Sequence, residues 1–428
     1  MIQSLLILAC LIFVAASHGP SVADYPTIQE AIRANPGRMV HVPAGDYDIS
    51  EKIHIGKEGG GLFGPGRIRQ INPNQPILVI EDATDVQVRD LRLLRPEGKT
   101  DTDHEGVLAI RCRNLVLENL QVLDNRTRAA AITLRECRGS QIRGCRVQNY
   151  MRISVDDRTS SADWGYAFRC IDGTGIAVSY SQGTLIHGNR IVEEHLLPTP
   201  EIQKKFDLGK FVKKNPQKGI ITSQKTWDTE FAQNWHQGSA IIVTAPEVSD
   251  STQILGNYIE NAAQGIDLHS DHVIVAQNII VNSHIGLKAM HGSRHILIIG
   301  NQFSKNDLWS IGLMPGAASR AVVNTDGGSI IAHNLISDFG YGPSRWMWGT
   351  NVAPLRFNRG QKPDNPPLTD VLIQGNIVYD TARDRNEPPR YRYAVIIESG
   401  ANGPKGLHFT GNLFHPGTDG ISNVELPP

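Results

Sequence analysis

Between residues 227 and 295 the chain gathers side chains that can move protons beside charged groups. Gly265-Ile-Asp-Leu-His269 places Asp267 and His269 two residues apart, and Lys288, His291, Arg294 and His295 follow within a short stretch. A neutral imidazole, with a reference pKa of roughly 6.5, can take a proton at ordinary pH. A carboxylate beside it can orient it or hold a cation, and an ammonium or guanidinium can offset a negative charge on a substrate. Upstream lie Trp227, Asp228, Glu230, Trp235 and His236, and downstream Trp309, aromatic and polar groups suited to stacking on and hydrogen-bonding sugar rings. Taken singly, each also fits a bland role: a solvated outer face, an ordinary Asp267–Lys288 cross-strand pair, or tryptophan packing under loops.

Whether these groups meet depends on the backbone. Residues 256–303 repeat one phrase, an apolar alternation, an asparagine, another apolar pair and a polar turn. Asn257, Asn278 and Asn301 mark it at spacings of 21 and 23 residues, a period that means stacked repeats. The alternating runs are too short for helices, so each repeat reads as one coil of an all-β, parallel β-helix with Val, Ile and Leu filling the bore. Ile266 and Leu268 then point inward, and Asp267 and His269 outward. One coil later Lys288 stacks beside Asp267, and one coil earlier Thr244 lies beside His269.

The beat extends as Asp90, Asn119, Cys145, Asn189, Asn257, Asn278, Asn301, Asn334, Asn376 and Asn412, which implies about ten coils. Long loop excursions are expected at about 150–173, 193–238 and 339–369, where a rigid solenoid most often carries function.

Residues 1–17 hold an apolar run followed by small residues, the pattern of a secretory signal, so residues 18–428 are expected as a single exported domain, secreted or periplasmic. The 42 basic and 43 acidic residues leave a net charge of −1, which gives no bulk field for nucleic acid or, after signal removal, for a membrane. Cys112 and Cys137 align one coil apart, as a disulfide or as two stacked buried thiols. Asn125-Arg-Thr127 is a glycosylation sequon. No zinc spacing and no convincing oxygen cage are legible, so no cofactor is assigned, and calcium stays open. Oligomeric state is not fixed by these patterns.

Residues 25–34, with Thr27 and Glu30 at capping-box spacing, followed by Met39-Val-His-Val42 and the Pro43-Ala-Gly-Asp-Tyr47 turn, resemble the N-terminal capping helix and first coil of the pectin-lyase-like right-handed β-helix superfamily. Gly265-Ile-Asp-Leu-His-Ser-Asp271 is similar to the G-I-D-P-H-D segment of mannuronan C5-epimerases, with Leu268 in place of the proline and Ser270 inserted before the second aspartate. That resemblance implies an acidic polysaccharide substrate, Asp267 and His269 in the active site, His269 as proton abstractor, and Lys288 or Arg294 offsetting the uronate carboxylate. Polysaccharide lyases on the same scaffold often use Lys and Arg, which Lys288 and Arg294 could supply.

Epimerisation and lyase β-elimination share removal of the C5 proton. They part when the proton returns to the opposite face or the C4 oxygen leaves. The catalytic set expected is His269, Asp267, Lys288 and Arg294, with His236, His291, Trp227, Trp235, Trp309 and Glu230 binding substrate. Glycoside hydrolysis by Asp267 with Glu230, Asp228 or Asp271 is the alternative, and a non-catalytic carbohydrate-binding β-helix is a third.

Overall fold

Apolar residues at every second position, broken by Gly-Asn and similar pairs, make short strands that bury one row each and turn sharply between them. A computed structural model describes residues 19–155, 167–212, 238–316, 325–342, 352–360 and 365–427. The strands stack into three parallel sheets of twelve strands each, a right-handed parallel β-helix. Every coil gives one strand to each sheet in chain order, as in Gln253–Leu255, Tyr258–Glu260 and Gln264–Leu268. Twelve coils replace the expected ten because the first two, starting at Met39–His41 and Gly61–Phe63, turn through Pro/Gly corners without a beat residue.

The bore is filled by columns of like residues in register. Ile254, Val275, Ile298 and Ile331 line the first sheet, and Ile241, Ile266, Leu287 and Ile311 the third; all are buried. Each such side chain contributes roughly 1.5–3 kcal/mol on leaving water. The beginning of the stack is covered by the helix Ile28–Ala34. Its N-cap Thr27 accepts from the Glu30 N–H at 3.1 Å, and Ile28 and Ala31 are buried.

Seven asparagines, Asn189, Asn257, Asn278, Asn301, Asn334, Asn376 and Asn412, form a continuous internal ladder at the corner between the first and second sheets. Asn278 Oδ1 accepts from both the backbone N–H and the side chain of Asn257, at 2.9 Å each, while its own Nδ2 donates to Ile254 O and Asn301 Oδ1. Cys145 begins the ladder through its backbone N–H. The beat slips one residue at Asp90 and Asn119. Both occupy the preceding left-handed position (φ 65° and 52°), which Asp and Asn tolerate, and the ladder place belongs to buried Leu91 and Leu120.

A second ladder runs along the corner between the third and first sheets through Cys112, Cys137, Ser181, Ser249, Ser270, Ser293 and Asp326, each eight residues before the corner residue that begins with Leu120 and Cys145. Ser181 Oγ accepts from the Cys137 N–H at 3.0 Å, and Asp326 Oδ1 from the Ser293 N–H at 2.9 Å. Cys112 and Cys137 are stacked here as free buried thiols.

The excursions leave mostly between the second and third sheets. In the first of them Arg152–Val155 pairs antiparallel with Ala167–Asp172, and Phe211–Val212 adds a third antiparallel strand from the next excursion, which also holds the helix Pro200–Phe206. The expected excursion over 339–369 is two connections, because Ala353–Phe357 between them is a third-sheet strand. Asn125 of the sequon is buried, accepting from Arg95 and donating to the His104 carbonyl, so its amide is committed to the fold.

Asn278→Ala should cost on the order of 3 kcal/mol in equilibrium urea unfolding, because two donors of Asn257 and the Ile254 carbonyl lose their partner. Asn412→Ala, at the last and half-buried rung, should cost less. Equal losses would contradict a ladder whose inner rungs carry the register.

Candidate active site

The outward row of the third sheet reads Ala177, Ile242, Asp267, Lys288, Gly312, Arg356 and Ile396 in register. Successive coils stand about 4.8 Å apart, so two ionisable neighbours in this row must touch. Lys288 Nζ lies 3.2 Å from Asp267 Oδ2, and His269 Nε2 lies 3.1 Å from Asp267 Oδ1. Side-chain exposure rises from 6% at Asp267 through 13% at Lys288 to 20% at His269, so the imidazole is the member that solvent reaches best. Burial opposes ionisation of Asp267, but Lys288 and His269 outweigh it and hold the carboxyl well below the usual carboxylate range.

His291 follows on the next corner, its ring edge-on to His269 with centroids 5.1 Å apart. Burial, reinforced by the charges of His269 and Lys288, pushes its pKa down to about 4. Behind it lies Asp326, which the sequence reading did not single out. Its Oδ1 accepts from the Gly292 and Ser293 N–H groups, and its Oδ2 from Gly316. The carboxyl therefore ties down the corner that carries His291, while burial lifts its pKa to about 6 against those three donors. Asp326 stands where earlier coils place serine or cysteine, eight residues before its ladder asparagine, and that substitution is the signal by which it could have been found.

Trp309 lies on this same outer face. A Cβ on Gly312 would sit 2.6 Å from the Trp309 ring, so the indole occupies the space that glycine leaves in the row between Lys288 and Arg356. The Arg356 guanidinium lies over it at 5.5 Å from the ring centroid. The indole is 7% exposed, so its contacts here are with the protein's own side chains.

Arg294 does not join Lys288. It sits on the corner after the strand, with Nη2 2.7 Å from Asp271 Oδ2. His295 Nδ1 and His272 Nδ1 approach Asp271 Oδ1 at 2.7 and 3.0 Å, and the two imidazoles stack with centroids 4.5 Å apart. Among the described residues, Asp271, His272 and His295 form the one group able to bring three metal-ligating atoms together. Two nitrogens and one carboxylate do not fit calcium, which takes six to eight oxygens. Trp227, Asp228, Glu230, Trp235 and His236 lie outside the described residues.

The chain near Asp267 and Lys288 passes from second to third sheet through only residues 261–263 and 282–284, whereas the coil before carries the excursion over 193–238. No described helix is long and apolar enough to cross a membrane.

His291 and Asp326 pull stability in opposite directions with pH. Unfolding takes up a proton at His291 between about 4 and its ordinary 6.5, so that contribution is complete above 6.5 and lost as pH falls through about 4. Unfolding releases a proton at Asp326 between 3.8 and about 6, so that contribution is complete below 3.8 and lost as pH rises through about 6. Relative to the unsubstituted protein, Asp326→Asn should therefore lose roughly 2–3 kcal/mol more stability on going from pH 6.5 to 4. His291→Asn should shift the other way over the same range. Urea unfolding at a series of pH values checks both, and parallel profiles for all three proteins would contradict the assignment.

Residues 78–303 match the family model described as the right handed beta helix region. No curated protein sequence matches the chain at a significant level. Among solved structures, the A-module of mannuronan C-5 epimerase AlgE6 from Azotobacter vinelandii is similar at 12% identity and TM-score 0.56, covering 93% of this chain and 100% of that one. The catalytic domain of GH87 alpha-1,3-glucanase in complex with nigerose is similar at 10% identity and TM-score 0.59, over 95% and 68%. The Dettilon tailspike protein gp208 follows at 13% identity and TM-score 0.58, over 90% and 62%. At these identities the likeness is one of fold.

Proposed function

The chain belongs to the right-handed β-helix family, and from that premise we propose an exported, polysaccharide-active enzyme that abstracts the C5 proton of a uronate in an acidic polysaccharide. The observation that carries this reading is the Asp267–His269–Lys288 cluster on the outward row of the third sheet. An ionised carboxylate only accepts hydrogen bonds. Neutral His269 therefore directs Nε2–H at Asp267 and leaves its lone pair on Nδ1, the atom that takes the C5 proton.

Lys288 has two tasks. It keeps Asp267 ionised, and with one donor turned to Asp267 its other N–H bonds can meet the uronate carboxylate, whose charge otherwise resists loss of the adjacent proton. His291, kept neutral down to about pH 4, stands beside His269 as a second proton carrier. Proton return on the opposite sugar face gives the C5 epimer, and departure of the C4 oxygen gives a chain end with a C4–C5 alkene.

The local resemblance of residues 265–271 to the mannuronan epimerase segment, and a fold shared with a mannuronan C-5 epimerase module, support proton abstraction. A fold shared with an alpha-1,3-glucanase makes hydrolysis the competing reaction. Against it, Lys288 holds Asp267 ionised while His269 directs an N–H at the same carboxylate, and Asp271 is occupied by Arg294, His272 and His295, so neither is poised as a general acid.

Incubation with alginate, polygalacturonate and glycosaminoglycans in deuterium oxide, followed by NMR, should show deuterium at C5 with inversion or a C4–C5 alkene proton. His269→Ala should lower that rate at least about 100-fold, the usual worth of a positioned general base. New reducing ends without either signal would assign hydrolysis instead. Full turnover by His269→Ala would remove His269 as the base.

A further inference from the structure

The corner after the Asp267 strand holds a second cluster that the proposed proton abstraction does not use. Asp271 and His272 come from one coil, and His295 from the corner one coil later, with Asp271 bridged in register to Arg294. His272 and His295 share the left-handed backbone conformation, φ 50° and 52°, so their imidazoles leave corresponding places on successive coils and stack. Both turn Nδ1 toward the same oxygen, Asp271 Oδ1, while Arg294 holds Oδ2 and thereby fixes the carboxylate plane.

We propose that Asp271, His272 and His295 form a binding site for a transition-metal dication of the zinc and nickel class, clamping two successive coils together. Imidazole nitrogens and carboxylate oxygens coordinate zinc at about 2.0–2.2 Å, which in a tetrahedral site sets neighbouring ligand atoms about 3.3–3.6 Å apart. The two Nδ1 atoms already converge on Asp271 Oδ1 at 3.0 and 2.7 Å, as hydrogen-bond contacts, and need to part from it by less than about 1 Å to reach that spacing. The imidazoles are 62% and 52% exposed, so they can open slightly to admit an ion, and its remaining positions face solvent. One carboxylate and two imidazoles suit a borderline metal and are a poor match for calcium or magnesium. Arg294 has the place of an outer partner that orients a ligating carboxylate.

The test uses the full chain, stripped with a chelator and desalted, then dialysed against Zn2+, Ni2+ or Ca2+ and analysed for bound metal. One zinc or nickel ion per chain is expected, with no calcium retained and with affinity at least tenfold weaker in His272→Ala and in His295→Ala. His187→Ala, which removes an exposed histidine elsewhere, should bind as the unsubstituted protein does. Zinc should also raise the melting temperature of the unsubstituted chain and not that of the two corner variants. If an alanine variant fails to fold, His272→Gln or His295→Gln is read in its place. Failure to retain zinc or nickel, or equal affinity in folded corner variants, overturns the site. Since metal content is read without substrate, either result stands whatever reaction the polyuronate panel reveals.

Discussion

Register between successive coils is the constraint on which the molecule depends. Neighbouring parallel strands are held about 4.8 Å apart, and a slip of one residue would turn every inward side chain outward. The internal asparagine ladder prevents that slip at one corner, and the serine, cysteine and aspartate ladder does so at another. Because both lie inside the wall, they leave the outer face free to vary. Asp267 meets Lys288 only because Ile266 is locked beside Leu287.

As a stabilising device the buried Asp267–Lys288 pair is a poor choice. Desolvation of two charges consumes most of their attraction, and packed apolar residues commonly do as well or better. The same row uses isoleucine at 242 and 396, so the scaffold accepts apolar side chains there. What the charges add is a fixed imidazole. Asp267 sets its tautomer and tilt, Lys288 keeps Asp267 charged, and Asp326 anchors the corner behind His291 through three backbone donors. The site is assembled from stacked coils and their corners, which a folded solenoid holds more rigidly than loops.

Much of this was legible in the sequence, because period-two alternation and a repeated asparagine are local signals with a direct structural meaning. The inward and outward assignment of Ile266, Asp267, Leu268 and Lys288 and the capping box at Thr27 needed only those signals. The first two coils carry no such signal because proline and glycine corners replace the asparagine, and the beat slips at Asp90 and Asn119 because the adjacent left-handed position favours the same residue types. Trp309, Arg294 and Asp326 show a different limit. Strand parity does not predict that an indole folds over Gly312, that a guanidinium prefers the nearer Asp271, or that an aspartate replaces serine in an internal ladder.

The order of groups along the outer row has one more consequence. All strands of the sheet run the same way, so the row itself has a head and a tail: carboxylate, ammonium, indole over glycine, guanidinium. Reversed, it presents a different sequence of charges and surfaces. A linear polymer also has unlike ends, so its two orientations along this strip are not equivalent in energy. The scaffold thereby imposes a vectorial sense on any chain that lies across it, from nothing more than the parallel course of its own backbone.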